Sequence, residues 1–298
     1  MKISKNNNVF YNAGLTTLCL AFGLCSNVTA GEYIRVSPDM EIYYEDEGAG
    51  APIIFIPGWT GTTTIFEAQI SHFSKNYRAI SYDPRGLGRS SKTLANHNTT
   101  QHGADLKAFM DALELVDVVL VGHSAGCYDS HAYIRGYGIA NIKAFICIDA
   151  PPKGIIEQDG DWARIKYIND LIPFNDGMNH NRSNYTRDFL STMFTLPMSK
   201  EELNEFVDES MKTPTYVAIL KWVDGIISDY TPEAKMIDGK IPVLYVLSEE
   251  EGRTDTAKAW LRKNTPNTRI EAFGLHFMFW EFPDRFNAIV DEFLNDIE

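Results

Sequence analysis

The chain has 298 residues, of which 44% are hydrophobic and 12% aromatic, and a formal charge of −13. That length suits one large α/β domain and supplies enough apolar residues for a sizeable core. The acidic balance disfavours nucleic acid, whose binders carry a basic patch, and also anionic membrane surfaces.

The first thirty residues differ from the rest. Lys2 and Lys5 are their only charges, an apolar stretch covers residues 13–25, and Val28-Thr29-Ala30 closes the segment. These are the three parts of a secretory signal peptide, with cleavage expected after Ala30. The apolar stretch is too short to span a bilayer comfortably. A periplasmic or extracellular mature chain is therefore expected, with no stable membrane insertion. Losing the two lysines takes the charge from −13 to −15. Cys19 and Cys25 leave with the signal. Cys127 and Cys147 remain; export permits a disulfide, but their apolar surroundings favour two buried thiols.

From residue 31 onward, strand-like and helix-like stretches alternate. That is the pattern of a mainly parallel sheet with helices on both faces. The strand candidates, in chain order, are EIYYEDEG, APIIFIPG, YRAISYDPRG, DVVLVG, KAFICIDA, PVLYVLSE and TRIEAFG. Helical patterns cover 65–73, 104–113, 125–135, 256–262 and 284–294. Residues 151–239 break the rhythm. DWARIKYINDLIPF, NYTRDFLSTMF, SKEELNEFVDESM and YVAILKWVDGII all read as short amphipathic helices. Ser199 and Glu202 have the spacing of a capping box. An insertion of this size, with the sheet resuming after it, is expected to be a helical cap. Residues 31–150 and 240–298 are then the core.

The strand Val118-Val119-Leu120-Val121 runs straight into Gly122-His123-Ser124-Ala125-Gly126 and a helical pattern. Such a sharp turn forces its apex toward positive φ, which costs a non-glycine residue about 1–3 kcal/mol. It lifts the Ser124 hydroxyl above the sheet and aims the Ala125 N–H, at a helix N-terminus, into the same space. A serine hydroxyl needs a base. His72 sits in a helical pattern, His97 and His180 in polar loops, and His123 inside the turn motif itself. His276, in FGLHFMFWEFP, follows the last strand, so its loop returns to the sheet edge where Ser124 emerges. The acid that orients the imidazole has two candidate positions. Asp149 ends the apolar strand KAFICID and is preferred. Glu251, in VLSEEEGRTD, is the alternative acid, with Glu250 and Asp255 behind it. A second oxyanion donor is expected from the Trp59 N–H, after Pro57-Gly58. No cofactor and no metal are called for.

Pro57-Gly58-Trp59, Asp83-Pro84-Arg85-Gly86-Leu87-Gly88-Arg89-Ser90, the Ser124 motif and His276 followed by Glu281-Phe282-Pro283 together resemble the α/β-hydrolase superfamily. The resemblance runs from about Pro52 to the C-terminus. It is nearest to the branch of esterases, cofactor-free haloperoxidases and carbon–carbon hydrolases with a helical cap. It implies an α/β-hydrolase fold, with a mostly parallel eight-stranded sheet, and Ser124 and His276 as nucleophile and base. Two departures stand out. Pro57 replaces the usual histidine before the oxyanion glycine. Ser248-Glu249-Glu250-Glu251 replaces the usual acid motif, whereas some relatives take the acid from the strand after the nucleophile, as Asp149 would be.

The first functional expectation is hydrolysis of a small or medium carboxylic ester through a Ser124 acyl-enzyme, with a small molecule as partner. Trp162, Tyr167, Phe174, Phe189, Phe194 and Trp222 suggest an apolar pocket in the cap, or simple packing. A ligand-binding protein on a hydrolase scaffold, and an acyltransferase or perhydrolase using the same intermediate, are the alternatives. Oligomeric state is not legible.

Overall fold

The computed structural model describes residues 31–297, so the expected signal segment lies outside the described residues. β1 (Glu32–Ser37) and β2 (Met40–Gly48) form a hairpin. β3 (Pro52–Ile56), α1 (Glu67–Phe73), β4 (Arg78–Tyr82), α2 (Thr99–Ala112), β5 (Val118–His123), α3 (Ala125–Tyr137) and β6 (Ile142–Ile148) then alternate. Two short strands follow, β7 (Lys153–Ile155) and β8 (Ala163–Ile165). Next come α4 (Leu171–His180), α5 (Arg182–Ser191), α6 (Lys200–Met211), α7 (Thr215–Ile227) and α8 (Thr231–Ile237). β9 (Val243–Leu247), α9 (Arg253–Asn264), β10 (Arg269–Ala272), α10 (Met278–Glu281) and α11 (Pro283–Asn295) complete the described residues.

The large sheet has the order β1-β2-β4-β3-β5-β6-β9-β10, and β2 alone runs antiparallel to its neighbours. Alternate residues along each central strand face opposite sides. Ile53, Phe55, Val119 and Val121 pack with α1 and α11 through Phe73, Phe286 and Val290. Ile54, Ile56 and Leu120 pack with α2 and α3 through Leu106, Phe109 and Tyr133. Both faces are covered, which is why these strands read as continuous apolar runs. Strand order reverses between β3 and β5. In open α/β sheets, the crevice beyond the strand ends at such a reversal is where ligands bind.

Two expectations are corrected. DWARIKYINDLIPF is not one helix: residues 163–165 form β8, parallel to β7, a short 3-10 turn follows at residues 168–170, and α-helix begins only at Leu171. The cause is local. Asp161 accepts from the N–H groups of Glu157 and Gln158 and from Lys153 Nζ, which folds residues 156–161 into a loop and leaves Ala163–Ile165 extended. Cys127 and Cys147 are not free thiols but a disulfide, with Cα atoms 5.6 Å apart. The first turn of α3 brings Cys127 against Cys147 near the end of β6; apolar surroundings suit either state. The Ser199–Glu202 capping box is present, with Ser199 Oγ accepting from the Glu202 N–H and the Glu202 carboxylate accepting from the Ser199 N–H.

α7 is tied to the sheet layer by charge. Lys221 is 2% exposed, and its Nζ donates to Asp129 Oδ2 of α3 at 2.7 Å and to His102 Nδ1 of α2 at 2.9 Å. Asp224, one turn on, accepts from the Thr99 N–H and hydroxyl at the start of α2. Burial pushes the Asp129 carboxyl up, but Lys221 and His102 together, through charge and hydrogen bonds, outweigh it and hold the carboxyl below its usual range. Removing one partner of such a buried pair strands the other charge, at a cost of about 3–5 kcal/mol. Lys221→Met is therefore expected to lose that much stability in denaturant titrations. Adding Asp129→Leu should recover most of it.

Candidate active site

β5 delivers the serine. Ser124 has φ 53° and ψ −118°, the strained apex between β5 and α3. Its N–H donates to the Ile148 carbonyl at 2.8 Å, so the apex is registered on the last residue of β6. The turn closes only because its glycines are small. A Cβ on Gly126 would stand 2.2 Å from the Ile56 carbonyl oxygen, and one on Gly58 would stand 2.9 Å from the Ser124 Cβ. The β3 tip can therefore lie directly against the apex. The backbone N–H groups of Trp59 and Ala125 both make no intrachain hydrogen bond among the described residues. Both residues line a small cavity with Ser124. The indole of Trp59 is held by its Nε1–H on the Ala218 carbonyl of α7, at 2.7 Å.

β6 delivers Asp149 by the same device. Asp149 follows its last residue with φ 50°, and its N–H bonds the Val246 carbonyl of β9 at 2.9 Å. Asp149 Oδ2 lies 2.6 Å from His276 Nδ1. Its other oxygen accepts from the Ser248 N–H at 3.0 Å and the Ser248 hydroxyl at 2.8 Å. Burial alone raises this carboxyl. The His276 hydrogen bond and charge, followed by the Ser248 donors, override burial and hold it well below the usual carboxylate range. Glu251 instead stands exposed in the loop before α9. Glu250 pairs with Arg253 at 3.0 Å, and Asp255 lies on α9. His276 thus meets Asp149 and none of the glutamates.

The histidine loop is fixed from two sides. The His123 ring lies 4.6 Å from the His276 ring, and its Nε2 is 3.1 Å from the His276 carbonyl oxygen. Burial first, then the neighbouring His276, push the His123 pKa well below its usual value. It is a neutral donor that supports the loop. On the other side, the Glu281 carboxylate accepts from the N–H groups of Thr195 and Leu196 at 2.9 and 2.8 Å, and the Thr195 hydroxyl accepts from the Leu275 N–H. The segment after α5 is thereby locked to the loop that carries His276.

One contact had no sequence signal. Arg164 of β8 places its guanidinium 3.3 Å from Ser124 Oγ, and this is the hydroxyl's hydrogen-bond partner among the described residues. The serine–histidine bond is not formed in this state; in the absence of substrate such bonds are often open. A cavity of ≈ 540 Å³ opens on the His276 side, lined by Asp149, Arg164, Phe189, Trp222, Ser248 and His276 among others. The aromatic residues singled out from sequence divide into two groups. Trp162, Phe189 and Trp222 line this cavity. Phe174 stacks on Trp222, Phe194 stacks on Phe277, and Tyr167 is exposed.

Replacing Asp149 by Asn should keep the geometry but remove the charge that favours the correct imidazole tautomer. A loss on the order of 10²-fold or more in kcat/KM is expected by analogy with serine-protease triads, against little change for Glu251→Gln. The same variant tests pH linkage. A carboxyl held below its usual 3.8 stabilises the fold fully above that value and loses this contribution as the pH falls toward the lowered one. Asp149→Asn should flatten that acid limb in melting curves.

Residues 51–283 match the family model described as alpha/beta hydrolase fold. The chain is 25% identical over 273 residues to the non-heme chloroperoxidase CPO-A1 of Kitasatospora aureofaciens, covering 86% of this chain and 96% of that one. In structure it is similar to a bromoperoxidase from Bacillus anthracis, with a TM-score of 0.79 and 24% identity over 89% of this chain and all of the other. It is also similar to the esterase EaEST from Exiguobacterium antarcticum, with a TM-score of 0.81 and 21% identity over the same shares.

Proposed function

Taking as premise that the chain belongs to the α/β-hydrolase fold family and is a hydrolase, we propose that it is an exported serine esterase acting through a Ser124 acyl-enzyme. The observation that carries this reading is the Asp149-bound His276 packed on His123, the residue before a serine held at positive φ on a helix N-terminus.

In the proposed reaction, His276 Nε2 takes the Ser124 proton as Oγ attacks the ester carbonyl. The N–H groups of Trp59 and Ala125 receive the negative oxygen; one such donor is worth roughly 3 kcal/mol. Asp149 stabilises the imidazolium. The C–O bond then breaks, and the alcohol leaves with the proton from His276. Water, deprotonated by the same imidazole, attacks the acyl-enzyme and releases the acid and the free hydroxyl. Residues 151–239 serve as the cap, and the Phe189, Trp162 and Trp222 walls favour an apolar portion of the substrate.

The relatives named as chloroperoxidase and bromoperoxidase favour a second nucleophile on the same intermediate. Hydrogen peroxide in place of water would release a peracid, and product analysis with both present measures the partition. Export is supported by the residues 1–30 pattern and by the Cys127–Cys147 disulfide, which persists in an oxidising compartment.

A fluorophosphonate probe is expected to label the folded protein at Ser124. Ser124→Ala should abolish both labelling and turnover of short acyl esters without lowering the melting temperature. An unlabelled, folded wild-type protein would remove the esterase reading. Mass spectrometry of the exported protein should find a chain beginning at Gly31, and a retained 1–30 segment would refute cleavage.

A further inference from the structure

Arg164 is an unusual neighbour for a serine nucleophile. It extends from β8 under the cap, half-buried, with its guanidinium 5.4 Å from the Trp222 ring centroid and 3.3 Å from Ser124 Oγ. No carboxylate lies within 4.0 Å of it among the described residues. The other charges lining the large cavity are already matched: Glu250 with Arg253, and Asp149 with His276 and Ser248. Arg164 is the cation left over. It spends one N–H on a long bond to a neutral hydroxyl, although a guanidinium offers five donors in a planar fork that matches a carboxylate.

Its position is as telling as its charge. Ser124 and Ala125 line the small cavity of ≈ 10 Å³ on the oxyanion side, while His276 lines the large one. Arg164 and Trp222 line both and form the partition between them. A substrate whose carbonyl lies over Ser124 and whose leaving oxygen lies toward His276 must pass the guanidinium. On a protein of charge −13 the overall field repels anions. A half-buried, unpaired cation at the reacting atom therefore works against that field, and partial desolvation strengthens its pull on an anion.

From the esterase reading, we infer that Arg164 is a specificity-determining residue that binds a carboxylate only a few bonds from the scissile carbonyl, so that the substrate is an anionic ester. The incoming carboxylate takes the guanidinium away from Ser124 Oγ. The freed hydroxyl can then turn its proton to His276, which couples recognition of the anion to assembly of the nucleophile.

Two pairs of equal-shape esters test this, each pairing a carboxylate with an isopropyl group. Acetoxyacetate against isobutyl acetate puts the charge on the alcohol side. Monoethyl succinate against ethyl 4-methylpentanoate puts it on the acyl side. The wild-type protein is expected to hydrolyse the anionic member of at least one pair with kcat/KM about tenfold or more above its neutral partner, the scale of one charge-assisted bond. In Arg164→Gln that ratio should fall to one or below, and Arg164→Lys should retain part of it. Calorimetry on the Ser124→Ala protein gives a readout without catalysis: the anionic probe of the preferred pair should bind, and the added Arg164→Gln change should abolish binding. Ser124-dependent hydrolysis with no anionic preference in either pair, and no Arg164-dependent binding, would overturn the inference and leave the esterase reading standing. Arg164-dependent binding without hydrolysis of any of the four esters would uphold the anion site and remove the esterase reading.

Discussion

The constraint on which the rest depends is the backbone of Ser124, held at φ 53° where β5 becomes α3. Left to itself, that conformation costs about 1–3 kcal/mol. It persists because everything around it is already fixed. The Ser124 N–H is anchored on β6, Gly126 sits beneath the Ile56 carbonyl, and the β3 tip presses against the serine Cβ through Gly58. A larger residue at either glycine drives β3 away and takes the Trp59 amide with it. The Ser124 hydroxyl and the Trp59 and Ala125 amides therefore depend on one close contact between two strand ends.

Asp149 repeats the arrangement one strand over. It too sits at positive φ, is registered on its neighbour by a backbone hydrogen bond, and projects above the sheet edge. The Ser124–Asp149 spacing is therefore set by the β5–β6 register, in which His123 pairs with Ile148, rather than by flexible loops. His276 comes instead from the loop 273–277 between β10 and α10, and that loop is braced by His123 behind it and by Glu281 and Thr195 beside it.

Much of this was legible in the sequence, because the central strands are buried on both faces and bounded by turn residues. The serine turn announced itself by its glycines, and the histidine by its place after the last strand. The two acid candidates were ambiguous because two strand tips are equally near in topology, and only the folded contact of Asp149 with His276 Nδ1 separates them. β1 was missed: its outward residues are polar and its exposures mixed, as edge strands often are. β8 was read as helix because a loop closed by Asp161 and Lys153 leaves no periodic trace. Arg164 gave no signal at all. A lone arginine in an amphipathic stretch looks solvated until the fold swings it over Ser124.

The buried Lys221–Asp129 pair has a consequence for how anything reaches Ser124. Drawing α7 off the sheet layer would pull an ammonium out of a dry, matched site, along with the Asp224 bonds to the start of α2. At about 3–5 kcal/mol for the pair alone, a lifted α7 would be populated at less than roughly one part in a hundred. α7 is then the fixed jamb of the doorway. The opposite post is β8, whose Arg164 and Ile165 line the large cavity together with Trp162.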